Sequence, residues 1–219
     1  MNKMKIGIIG TGIVGRTLAS GFLKLGHDVM LGTRNIAKEE VKKFLSENER
    51  ALAGSFADAA KFGDTIVIAV VGRIAKDAID MTDINDFKGK TVIDTTNPIS
   101  QEPAEHGVLK YFTAQNDSLG EQIQRWLPEA HVVKCFNIVG NAFMTDGKQF
   151  GDTLPTMFIC GNNEDAKLLV TGFLTSFNWE TCDCGMIESS RAIEPLCILW
   201  CIPGFLQNQW SHAFKLLRK

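Results

Sequence analysis

The chain has 219 residues, 45% hydrophobic and 22% charged, the composition of a folded globular protein with one large core or a domain carrying a small appendage. Its 23 Lys and Arg against 25 Asp and Glu leave a formal net charge of -2, which excludes a whole-protein attraction to nucleic acid or an anionic membrane. No apolar run approaches the roughly 20 residues of a bilayer span, and the longest, Leu196 to Leu206, is broken by Pro203 and Gly204.

The first ten residues place a basic tip before an apolar stretch, but that stretch is short, glycine-rich and closed by no small-residue cleavage site, so no secretory leader is expected. Strand-like runs rich in Val and Ile follow at Lys5–Gly10, Asp28–Gly32, Thr65–Val70, Thr91–Asp94, His131–Phe136 and Thr156–Gly161, with a weaker one at Glu180–Asp183. Between them, helical spacing is read at Ile13–Leu25, Ala37–Asn48, Ser55–Phe62, Ile74–Ile79, Glu121–Trp126 and Glu164–Phe177. Continuous apolarity from Ile66 to Val71 implies a strand buried on both faces. The alternation predicts an α/β fold, a Rossmann-type doubly wound, mostly parallel sheet spanning residues 1–184. Residues 185–219 then form a short C-terminal helical segment, read as two helices separated at Pro203-Gly204. That tail is too short to be a substrate domain.

Gly10-Thr11-Gly12-Ile13-Val14-Gly15 follows a strand and opens a helix, which gives the G-x-G-x-x-G pattern its meaning. Gly10 permits the tight turn, Gly12 lets a pyrophosphate approach the backbone, and Gly15 seats the helix against the strand. Where the second strand ends, Thr33-Arg34-Asn35 stands in the place at which NAD enzymes carry an acidic residue, with Lys38 one turn further on. A hydroxyl, a guanidinium and an ammonium there suit a 2′-phosphate, so the expected coenzyme is NADP(H).

Together with these elements, Asp94-Thr95-Thr96-Asn97-Pro98, Val133-Lys134-Cys135-Phe136-Asn137, Ile187-Glu188-Ser189-Ser190-Arg191 and Glu194-Pro195-Leu196 resemble, in order, the deazaflavin (F-420)-dependent NADP oxidoreductases and the related cytosolic reductase domain of the STEAP metalloreductases. The resemblance implies hydride transfer between NADPH and a flavin-like ring (F-420, FMN or FAD) stacked beside the nicotinamide. It places Thr11 to Val14 at the pyrophosphate, Ala69, Val70 and Val71 at the nicotinamide ribose, Asn97-Pro98 beneath the nicotinamide, and Phe136-Asn137 at the mouth where the second ring enters. It also implies a homodimer, for which the apolar tail from Leu196 to Phe214 offers a face.

Such hydride transfer asks little proton chemistry of the protein. None of the four histidines sits in a recognisable acid/base arrangement, and the single tyrosine, Tyr111, makes no Tyr-x-x-x-Lys pattern. Lys134 and Asn137 are the polar groups expected nearest the reaction, with a structural role after the strand as the alternative reading. Six cysteines in hydrophobic segments suit free thiols in a reducing, cytoplasmic setting. Cys182 with Cys184, and Cys197 with Cys201, match no standard metal-ligand spacing, so no metal site is predicted. Two other functions fit the motifs: reduction of a carbonyl, an imine or a flavin-bridged ferric chelate, and non-catalytic sensing of NADPH.

Overall fold

A computed structural model describes residues 2–219; Met1 lies outside the described residues. Eight strands form one sheet: β1 (Lys5–Ile9), β2 (Asp28–Gly32), β3 (Ala51–Gly54), β4 (Thr65–Ile68), β5 (Thr91–Asp94), β6 (His131–Lys134), β7 (Thr156–Gly161) and β8 (Glu180–Asp183). Their spatial order is β3-β2-β1-β4-β5-β6-β7-β8. The first six pair in parallel, β7 runs antiparallel to β6, and β8 is parallel to β7. The order 3-2-1-4-5-6 is that of a Rossmann sheet, whose crossover lies between β1 and β4. Every residue of β4 and β5 is buried, which is why the run through β4 reads as continuously apolar.

The helices are α1 (Ile13–Lys24), α2 (Glu39–Glu47), α3 (Phe56–Phe62), α4 (Ala75–Asp80), α5 (Leu119–Trp126), α6 (Glu164–Ser176), α7 (Ser190–Ile193) and α8 (Pro195–Gln207). α3 starts at a capping box in which the Ser55 hydroxyl accepts from the Asp58 amide and the Asp58 carboxylate accepts from the Ser55 amide. It lies directly on β1, because a side chain at Gly7 would meet the Ala59 carbonyl at 2.0 Å.

Two expectations change. Strand β3 escapes sequence reading because Ala-Leu-Ala-Gly carries no β-branched or aromatic residue. It forms through parallel pairing with β2, Val29 opposite Ala51 and Gly32 opposite Gly54. The tail is not two helices split at Pro203-Gly204: α8 runs through both residues. Pro203 removes the amide that would bond the Leu199 carbonyl one turn back, and Leu199 is exposed, so the loss falls on the solvent-facing side of the helix. The chain leaves the helix at Asn208 in the left-handed conformation (φ 53°) and returns without regular structure. Trp210 lies over Gly204, the Trp200 indole donates to the His212 carbonyl at 2.8 Å, and the Thr156 amide at the start of β7 donates to Phe214 at 2.8 Å. No helix among the described residues is long and apolar enough to cross a membrane.

A Cβ at Gly204 would lie 2.3 Å from the Trp210 ring. Gly204→Ala should therefore cost about 1–3 kcal/mol by overpacking. In a Trp210→Ala background the same change should instead gain about 0.5–1 kcal/mol of helix stability. Urea unfolding of the four proteins in this double-mutant cycle checks both signs.

Candidate active site

The site begins where β1 stops. Gly10 turns the chain at φ 125°, and a side chain there would collide with the Ala69 carbonyl at 2.4 Å, so both space and backbone require glycine. A side chain at Gly15 would meet the Gly10 carbonyl at 2.2 Å, so α1 sits hard against the turn. Gly12 is different: a Cβ there meets nothing within 4 Å, because this residue faces open space. Gly12 is also the N-cap of α1, with no side chain capping the helix and no acidic residue in its first turn. The first amides of a 12-residue helix thus reach the cleft without a partner, with the positive end of the helix behind them.

A cavity of about 480 Å³ opens over this turn at the crossover between β1 and β4. Gly10, Thr11, Gly12, Ile13 and Val14 line its floor. Thr33, Arg34 and Lys38 line one end, and Ala69, Val70, Val71 and Asn97 line the other. Within the first group, the Thr33 hydroxyl receives the Asn35 amide at 3.2 Å, a turn that leads the chain toward α2. Arg34 makes no hydrogen bond or ion pair with any described residue, and the nearest carboxylate oxygen to the Lys38 amine, on Glu40, is 3.8 Å away. No carboxylate lines the cavity. Against its Arg34 end lies a smaller hollow of about 310 Å³ with Phe56, Ile74 and Met81 in its walls, apolar surfaces suited to a purine ring.

Several predicted residues lie elsewhere. Gly15 and Asn35 shape the turns without lining the cavity, and Pro98 is buried beneath it. Phe136 is fully buried and packs on Phe177 at 6.3 Å between ring centroids, so it cannot form the mouth for a second ring. Its backbone is left-handed (φ 63°), which ends the extended run beyond β6. Asn137, also buried, lies behind Asn97: its amide donates to Asn97 Oδ1 at 3.1 Å, and Asn97 Nδ2 donates to the Asn137 carbonyl at 2.8 Å. Asn137 positions Asn97 and does not itself line the cavity.

Lys134 is the largest correction. Its side chain is 0% exposed, and its ammonium donates to Asp94 Oδ2 at 2.9 Å, to the Thr96 carbonyl at 2.6 Å and to Glu194 Oε1 at 2.7 Å. Burial pushes its pKa down, but the charges and hydrogen bonds of Asp94 and Glu194 outweigh this and hold it above the ordinary lysine value. A lysine so held keeps its proton at neutral pH and does not itself line the cavity, reaching only the back of its wall at the Thr96 carbonyl. Glu194 in turn accepts the amides of Leu119 and Gly120 at the start of α5, at 3.1 and 2.9 Å. The network fastens the loop after β5, where the Thr95 hydroxyl donates to the Ile68 carbonyl at 2.9 Å and Thr96 donates to Asp94 from both its amide and its hydroxyl.

Phe56, Gly72, Ile74, Thr95, Thr96 and Ile99 complete the lining and were not singled out from sequence. Thr95 and Thr96 stand within a motif that was noticed, whereas Phe56 follows the unpredicted strand β3. All six cysteines are free thiols; Cys182 on β8 and Cys184 just beyond its end are half-buried, and Cys197 and Cys201 are buried in α8.

A glycine turn, an uncapped helix and a cavity at the sheet crossover define a dinucleotide-binding oxidoreductase fold, and the cationic end without carboxylates fits NADP. The model of the family described as NADP oxidoreductase, coenzyme F420-dependent, matches residues 5–98. A crystal structure from Arthrobacter sp. FB24, assigned provisionally as an F420-dependent NADP-reductase, is 31% identical, aligns over 98% of this chain and 100% of its own, and superposes with a TM-score of 0.92. The chain belongs to this family of NADP-dependent oxidoreductases. Among curated relatives, Metalloreductase STEAP3 of Rattus norvegicus is 27% identical over 206 residues, covering 92% of this chain and 39% of the relative, so the chain spans about two fifths of that protein's length. A reductive aminase of Aspergillus terreus, solved with NADPH and ethyl-5-oxohexanoate, shares the fold at 15% identity and a TM-score of 0.67, over 94% of this chain and 64% of its own.

Three outcomes follow from this geometry. Arg34→Ala should weaken NADPH binding about 10- to 100-fold, the worth of a charge-assisted contact, while NADH binding changes little; titrations with both coenzymes measure the ratio. Gly12→Val should leave the unfolding free energy nearly unchanged, since the space is open, yet abolish coenzyme binding in calorimetry. Lys134→Met should cost about 3–5 kcal/mol in urea unfolding by stranding two buried carboxylates. Lost turnover at unchanged stability would make Lys134 a proton donor instead.

Proposed function

We propose that this protein transfers hydride between NADPH and a planar flavin-like or deazaflavin ring. The observation that carries the proposal is the chemistry missing from the cavity wall. Of all its lining residues only Arg34 and Lys38 are ionisable, and both lie at the end away from Val70, Val71, Gly72, Thr95, Thr96, Asn97 and Ile99. Reduction of a carbonyl or imine calls for a proton donor at the reacting atom; that end holds no ionisable group, and its Thr95 and Thr96 hydroxyls already donate to the Ile68 carbonyl and to Asp94. A ring acceptor takes its proton from water, so it makes no such demand on the protein.

The side chains then bind, orient and exclude water. The amides from Thr11 to Val14 receive the pyrophosphate at the start of α1. Thr33, Arg34 and Lys38 take the 2′-phosphate. Asn97, held from behind by Asn137, presents a fixed polar edge beside the nicotinamide, and Val70, Val71 and Ile99 keep its surroundings apolar. Bound NADPH supplies a hydride, which joins the acceptor ring together with one proton from solvent and leaves NADP⁺. The names of the curated metalloreductase relatives suggest an oxidised metal ion as a terminal acceptor, which this site would reach through a reduced flavin.

Anaerobic mixing of the protein with NADPH and either F-420 or FMN tests the proposal. Bleaching of the oxidised ring's visible absorbance in step with NADPH consumption is expected for at least one acceptor. No reduction of either, with NADPH bound, would overturn it.

A further inference from the structure

The glycine that lets a pyrophosphate approach the loop also leaves the loop's backbone with a choice. Gly12 faces open space, and a residue without a Cβ turns to positive φ at no steric cost. Carbonyl and N–H point opposite ways across the planar trans peptide between Thr11 and Gly12, so rotating that peptide exchanges its poles. One orientation offers the pyrophosphate an N–H donor. The other presents a carbonyl oxygen, which repels it. Gly12 stands at φ -64°, and the question is what keeps it there.

A restraint acts at the carbonyl pole. Arg16 is the fourth residue of α1, and helical side chains lean toward the N-terminus, which carries its guanidinium back over the loop. The Arg16 amide closes the first turn on the Gly12 carbonyl at 3.0 Å, while its Nη1 donates to the Thr11 carbonyl at 2.5 Å. The guanidinium makes no other hydrogen bond and no ion pair with any described residue, so this charge-assisted bond is its one engagement. Arg16 is half-buried and does not line the cavity, so it acts from behind the loop. With the Thr11 carbonyl tied there, the Gly12 N–H is turned the other way, and no described residue accepts from it. A cation on the carbonyl also polarises the peptide and strengthens its N–H as a donor. Thr11 is steadied from its side chain too, being buried with its hydroxyl 3.5 Å from that of Thr33.

We propose that Arg16 is a positioning residue for the coenzyme's pyrophosphate: it clamps the Thr11 carbonyl and so fixes the Gly12 N–H as a donor aimed into the cleft. The ligand's approach requires glycine at position 12, and the arginine removes the second orientation that this glycine permits. This rests on the NADPH-binding part of the reading above and adds the side chain that sets the polarity of the loop.

Arg16→Met keeps an apolar stem and removes the clamp. NADPH carries the pyrophosphate, whereas adenosine 2′-monophosphate has the purine and the 2′-phosphate without any phosphate at the 5′ position. In calorimetry Arg16→Met should bind NADPH about tenfold more weakly, the worth of one charge-assisted bond, and Arg16→Lys should recover part of the loss. Adenosine 2′-monophosphate should bind Arg16→Met as it binds the wild type, which also reports that the variant folds. NMR of the ligand-free proteins separates a clamp on the loop from a direct contact with the phosphates. Arg16→Met should shift the Thr11 carbonyl carbon and broaden the Gly12 amide by exchange between the two orientations. Unchanged NADPH affinity, an equal loss for both ligands, or a selective loss with the Thr11 and Gly12 signals unmoved would each overturn the assignment and leave the hydride-transfer reading standing. A wild-type protein that binds no NADPH would overturn both.

Discussion

A lysine ammonium buried completely with two carboxylates is an expensive thing to fold around, and most of the site depends on it. Removing three charges from water costs several kcal/mol per ion, and the return comes only if every hydrogen-bonding position is met. Here the returns are all present. Lys134 spends its three protons on Asp94, Thr96 and Glu194; Asp94 also takes two bonds from Thr96; and Glu194 takes the two leading amides of α5. The excess negative charge faces the positive end of that helix. One cation thereby joins the ends of β5 and β6, the start of α5 and the beginning of the C-terminal helices, and the loop bearing Thr95, Thr96 and Asn97 is held at the cavity wall as a consequence.

The rigidity serves a site whose own chemistry is sparse. Its floor is made of backbone amides, its coenzyme-selecting end of two cations and a hydroxyl, and its reacting end of apolar side chains and amide groups. Position and exclusion of water are then the levers the protein has, and both require that the wall not move. The C-terminal segment contributes in the same way. Through Glu194 and the Ile193 carbonyl, which the Asn137 amide reaches at 3.3 Å, it braces the residues behind Asn97.

What could be read from sequence was local. The glycine turn and the Thr33-Arg34 pair lie within a few residues of the strands that carry them, and short-range pattern finds such features. Strand β7 was legible as a short apolar run and helix α6 as a long stretch of helix formers opened by the Asn163 cap, whereas the antiparallel direction of β7 was not. Lys134 was misplaced because its partners are 40 and 60 residues away, so a lysine at a strand end looks the same whether it meets substrate or a buried carboxylate. Glu194 gave no sign of its role for the same reason. Strand β3 exists by pairing and not by propensity, and the passage of α8 through Pro203 depends on an exposed carbonyl and on Trp210 packing over Gly204.

The central claim is that hydride passes directly between two rings with no protein acid or base between them. A single turnover with NADPH carrying deuterium at both C4 positions, and with a deazaflavin as acceptor, tests it at the reacting atom. Mass spectrometry of the reduced deazaflavin should find one deuterium fixed on its ring carbon and none released to water. Loss of the label to solvent, with an unlabelled reduced ring, would contradict the account.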